Sequence, residues 1–239
     1  MCKPLRNCLA FSFLLTVSSL GFARNPLREA VEPSLGITVN VRDYARVSHG
    51  TLARAEREAA RIFHEAGVET LWRECPLTGE GLQKYPACQQ YLGATGFYLS
   101  ILPGFMPMGG LSPDAMGWTA MAKEGERDSI ADVFYDRVKE RALASSASVP
   151  QLLGHVIAHE LGHLLLRTSH HSAIGIMRAR WETGSLLLAA KGQLNFTPEQ
   201  VDLIRAEIRA RLIQGAPAAF VISPAELSHR RFSKACTQS

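Results

Sequence analysis

Residues 155–171 read His155-Val156-Ile157-Ala158-His159-Glu160-Leu161-Gly162-His163-Leu164-Leu165-Leu166-Arg167-Thr168-Ser169-His170-His171. Inside it, His159-Glu160-Leu161-Gly162-His163 has the form His-Glu-x-x-His. Together with Leu152, Leu153, Val156 and Ile157 upstream, the stretch predicts one long buried helix that starts near Ser148 and ends around Arg167. Ser148 is the expected cap, with Gln151 reaching back three residues later. Residues four apart lie one turn above each other, so the imidazoles of His159 and His163 face one point and can share a metal ion. Glu160 stands beside the first of them, placed to take a proton from water without ligating. Zinc suits such a set because it accepts nitrogen ligands tetrahedrally and has no redox chemistry. The plain alternative is a core helix with two satisfied histidines.

A catalytic zinc needs a third protein ligand and one open position for water. Downstream, His170 and His171 are the near histidines, and adjacent residues in extended chain point oppositely, so one of the two is expected to ligate. Glu182 is a further possibility and would make a set of two His and one Glu. His155 lies one turn before His159, about 6 Å along the helix axis, and reads as a supporting or surface histidine. Beyond the helix, Gly175-Ile176-Met177 provides a turn and a methionine able to pack beneath the site.

Upstream of the helix the pattern is mostly sheet. Ile37 to Val41 alternates as a strand does, and residues 51–66 place Leu52, Ala55, Ala59, Ile62 and Phe63 on one helical face. Gly67 closes that helix and Val68 to Trp72 follows as a second strand. Phe97 to Leu102 is a third, ended by Pro103-Gly104, and residues 103–117 read as a long surface loop. Gly117 to Ala122 and Ile130 to Val138 are two more expected strands. At the other end, Thr197-Pro198-Glu199-Gln200 opens a last helix with Val201, Ile204, Ile208 and Leu212 as its stripe and Arg205, Arg209 and Arg211 as a solvated face.

The chain has 239 residues with a formal net charge of +4 and no block of like charges, so a nucleic-acid face is not expected. Lys3 and Arg6, the apolar run Leu9 to Leu20, and Gly21-Phe22-Ala23 read as a secretory signal over residues 1–23. Residues 24–239 then form a single catalytic domain, secreted or periplasmic, without stable membrane association after cleavage. Few residues separate the cleavage point from the first strand, so no folded inhibitory segment is expected. In an oxidising compartment Cys75 and Cys88 are the natural disulfide pair, leaving Cys236 over.

From His159 to Met177 the chain resembles the metzincin clan of zinc endopeptidases, including its small archaemetzincin-like branch. Metzincins carry a glycine three residues, and a third histidine six residues, after the second histidine, then a methionine turn. Here those positions are Leu166 and Ser169, and the candidate histidines come one and two residues late. The added length lets the helix finish and the chain reverse without the glycine, which favours His171 over His170 as third ligand. The resemblance implies an α+β fold: a mixed twisted sheet with a helix after the first strand, a long active-site helix and a small C-terminal helical subdomain. It implies one catalytic Zn2+ on His159, His163 and His171, Glu160 as general base, and a protein or peptide substrate. The rival from another class is an exported zinc-binding but non-catalytic interaction module.

Overall fold

Ile37, Val39 and Val41 alternate along β1 (Gly36–Asp43), and all three are buried. The computed structural model describes residues 34–104, 112, 114–119 and 129–215. The signal segment, Cys236, and residues 105–111 and 113 of the Gly/Pro-rich loop lie outside that range. β1 is flanked in parallel by β2 (Glu69–Glu74) and β3 (Gly96–Leu102). β3 pairs in parallel with β5 (Ile130–Phe134), which pairs antiparallel with β4 (Gly117–Thr119). The order β2-β1-β3-β5-β4 leaves β4 at one edge of a mixed sheet, and with the helices the fold class is α+β, as expected.

Register makes the core. Val39 stands opposite Phe97, Val41 opposite Leu99, Leu99 opposite Ala131, and Ile101 opposite Val133. Partners in register point to the same side of a sheet, so these side chains form one apolar face. Against that core packs α1 (His49–Glu65), capped by Ser48, which accepts from the Thr51 N–H at 3.3 Å. The predicted stripe of α1 is the buried one, and Gly67, at φ 72°, turns the chain into β2. Cys75 and Cys88 are joined, closing the loop that holds the short α2 (Gly79–Lys84). No helix among the described residues is long and apolar enough to cross a membrane.

Three expectations need correction. The strand drawn through Val138 stops at Phe134, and α3 (Tyr135–Leu143) begins at once. Ala131 and Val133 bury with period two, whereas Val138 and Ala142 bury four apart, so the periodicity changes within one apolar run. Ser148 does precede α4 (Val149–Leu166), but its side chain makes no capping bond. Pro150 in the first turn has no N–H, which leaves one donor fewer to satisfy. Of the predicted strand at Gly117 to Ala122, Gly117–Thr119 is described.

The third correction concerns the arginines of α6 (Pro198–Gly215). Its start is as expected: Thr197 N–H donates to Gln200 at 3.0 Å and Gln200 N–H to Thr197 Oγ1 at 3.3 Å. Arg211, however, is only 2% exposed. It follows Ile204 and Ile208 on the buried stripe, donates to the Leu164 carbonyl at 2.9 Å and to Glu207 at 2.8 Å, and lies over Phe97. Leu164 is in the last turn of α4, where carbonyls lack helical partners, so Arg211 serves as a cap supplied by another helix. Arg211→Met should cost about 3 kcal/mol by leaving Glu207 and that carbonyl unpaired, read as a lower urea midpoint; an unchanged midpoint refutes the capping role.

Candidate metal centre

From Leu152 to Leu165 every residue of α4 is buried, His155, His159, Glu160 and His163 included. A helix apolar all round must sit inside the protein, and the polar groups it carries must then be satisfied there. His159 Nδ1 donates to the Ile176 carbonyl at 2.8 Å, and His163 Nδ1 donates to the Thr168 carbonyl at 2.7 Å. A carbonyl only accepts, so in each ring the proton is on Nδ1 and Nε2 carries a lone pair. These two Nε2 atoms face each other at 3.1 Å. Burial first, then His163, pushes His159 down to about 3, and burial lowers His163 as well, so both shifts favour the neutral rings. Two converging lone pairs at that distance fit a cation that prefers nitrogen donors.

The third imidazole is that of His171. Its ring centroid lies 5.4 Å from that of His159 and 4.9 Å from that of His163, and one ligating atom from each of the three falls within 4.8 Å of the others. This group could hold a metal ion. His170 points its Nδ1 at Thr168 Oγ1, 3.2 Å away, and is not a member. Glu182 is the exposed residue before α5 (Thr183–Ala190) and is not a member either.

The reversal that delivers His171 is made by Arg167, which takes the left-handed conformation at φ 50°, ψ 44°. That costs a non-glycine residue about 1–2 kcal/mol. The loop is then tied down: Ser172 N–H donates to the Met177 carbonyl at 2.8 Å, and Gln200 of α6 donates to Ser172 Oγ at 3.2 Å. Met177 packs under the site against Gly162, where a Cβ would come within 2.7 Å of the methionine sulfur.

Trp181 was missed as a site residue by sequence reasoning. Its Nε1 donates at 3.1 Å to the Ile176 carbonyl that also receives His159, and its ring meets His159 edge-on at 5.7 Å. No spacing in the sequence signals this contact. His155 is wholly buried, donates from Nδ1 to the Gln151 carbonyl at 2.8 Å, and meets Trp181 edge-on at 6.3 Å. It supports the site from one turn away.

Glu160 is buried, and its carboxylate Oε2 accepts from Thr119 Oγ1 of β4 at 2.8 Å. Burial raises its pKa to about 8, against the lowering effect of the Thr119 bond and with a further rise from Asp132. Gly117 of the same strand is in contact: a Cβ there would lie 2.7 Å from Glu160 Cγ and Cδ. The three imidazoles, Glu160 and β4 open on a cavity of about 880 Å³ whose walls include Trp118 and Trp181. Such a volume falls within the range of ligand-binding clefts, about 300–1,000 Å³.

No family model matches the sequence, and no curated protein does. Among solved structures, archaemetzincin from Methanopyrus kandleri is similar at a TM-score of 0.48 and 15% identity, over 75% of this chain and 99% of that one.

Proposed function

We propose that this protein is an exported zinc-dependent endopeptidase. The observation that carries the proposal is the pair of Nε2 atoms held 3.1 Å apart, with a third imidazole beside them and a buried carboxyl group next in sequence. His159, His163 and His171 would hold the ion, and three ligands leave one position of a tetrahedral ion for water. When bound, zinc supplies a Lewis acid that lowers the pKa of water to about 7 and polarises a carbonyl. The Nδ1 bonds to Ile176 and Thr168 fix ring orientation and keep both Nε2 atoms as donors of electron pairs. Glu160 takes a proton from the attacking water as its oxygen joins the carbonyl carbon. It passes that proton to the leaving nitrogen as the C–N bond breaks. β4, at the sheet edge, is the place for an extended substrate to pair through its main chain, independent of most side-chain identities.

Export is supported by the N-terminal pattern of Lys3, Arg6 and Leu9 to Leu20 and by the Cys75–Cys88 disulfide, a bond that persists in oxidising compartments. The test is metal content per chain after chelator-free purification, together with turnover of an unstructured protein such as casein. One zinc with hydrolysis is the expected result. One zinc without hydrolysis returns the non-catalytic module, and no bound metal overturns the site altogether.

A further inference from the structure

We propose that Thr119 is a positioning residue for Glu160, and that β4 thereby holds the general base on one face while offering its edge to substrate. The assignment rests on the peptidase function proposed above. The Thr119 hydroxyl lies 2.8 Å from Glu160 Oε2 and 3.1 Å from the main-chain carbonyl of the same residue. It therefore sits against the helix backbone at the very residue whose side chain it binds, and moving Thr119 without moving α4 breaks both contacts.

A hydroxyl has one proton to give, and a carboxylate oxygen is the stronger acceptor of the two. With that proton directed to Oε2, the oxygen without a hydrogen-bond partner among the described residues is Oε1, which lies against the Gly117 backbone. The bond to Oε2 survives when Oε1 takes up a proton, because Oε2 remains an acceptor in the neutral acid. One tether thus serves both halves of a proton transfer.

Gly117 completes the clamp. It lies two residues before Thr119, so the two share a face of the strand. Any side chain at 117 would drive into Glu160 Oε1 first and then Cγ and Cδ, and the bare glycine lets the carboxyl group settle between strand and helix. The carboxyl group is confined on one side by the Gly117 backbone and on the other by the Thr119 hydroxyl. Because β4 has three residues and pairs with β5 alone among the described strands, its hold on α4 through Thr119 also ties the substrate-pairing edge to the base.

The test compares Thr119→Val, which keeps the shape and removes the hydroxyl, with Thr119→Ser, which restores the hydroxyl. Thr119→Val should retain one zinc and an unchanged KM for a casein-derived peptide while kcat falls about 10- to 100-fold, and Thr119→Ser should recover most of the loss. A merely structural threonine would not give that split, because serine would not rescue it selectively in kcat. A Thr119→Val enzyme with kcat within about twofold of the parent overturns the proposal. A second readout needs no activity: in a crystal structure of metal-free Thr119→Val, the Glu160 carboxyl group should leave its place between Gly117 and residue 119. Finding it unmoved also overturns the proposal. Should the valine variant fail to fold, Thr119→Ala removes the same hydroxyl at smaller volume and is read in the same two ways. If the parent itself proves inactive on peptides, the peptidase function falls, while the crystallographic arm still decides whether Thr119 places Glu160.

Discussion

Glu160→Gln is expected to keep one zinc per chain and to lose casein hydrolysis by about 10²- to 10⁴-fold. Glutamine has the volume and shape of the residue it replaces, so the fit between Gly117 and Thr119 is preserved. It cannot take a proton from water and return it to a leaving amine. The three-histidine group does not include Glu160, so metal content should not change with the substitution. Stability should hold as well, because the amide keeps an oxygen to accept from Thr119 Oγ1 and the same packing against Gly117. The comparison is therefore clean: metal analysis and thermal unfolding report an intact site, and only turnover falls. Retained hydrolysis in this variant would remove Glu160 from the chemistry and the proposed mechanism with it.

His171→Ala is expected to weaken zinc binding by more than the roughly 10- to 100-fold that loss of a supporting partner costs, while His170→Ala leaves it unchanged. The two histidines are neighbours in sequence but differ in where their rings lie. The His171 ring lies within 5.4 Å of both helical imidazole centroids, whereas His170 turns its Nδ1 to Thr168 Oγ1. His159 and His163 stay fixed by the carbonyls of Ile176 and Thr168 in either variant, so residual two-ligand binding is the expected endpoint for His171→Ala. Titration against a competing chelator measures both affinities. Loss of zinc in His170→Ala with retention in His171→Ala would transfer the third position to the other histidine.

The helix bearing His159, Glu160 and His163 was legible because its signal is local: a continuous apolar run with two histidines four residues apart. The same holds for the α1 stripe, the Thr197–Gln200 cap and the alternation of β1. Ile130 to Val138 was misread because a strand face and a helix face meet inside one apolar segment, and the burial of Val138 depends on the turn at Phe134. Arg211 was assigned to solvent because residue type alone favours it. Its burial comes from a carbonyl on another helix, 47 residues away, that needed a donor.

For the site, spacing was enough to name two imidazoles and a carboxyl group on one side of a helix, since a helix repeats every few residues whatever surrounds it. Which of His170, His171 and Glu182 comes beside the helical imidazoles depends on the path of the chain after Arg167, which rests on bonds from Ser172 to Met177 and from Gln200 of α6 back to the loop. The partners that orient the site are equally remote: Ile176 is 17 residues from His159, and Thr119 is 41 from Glu160. Periodicity encodes which face of an element is apolar. Which atoms meet across elements is set by how those faces pack, and that information is distributed over the whole core rather than written at either end of the contact.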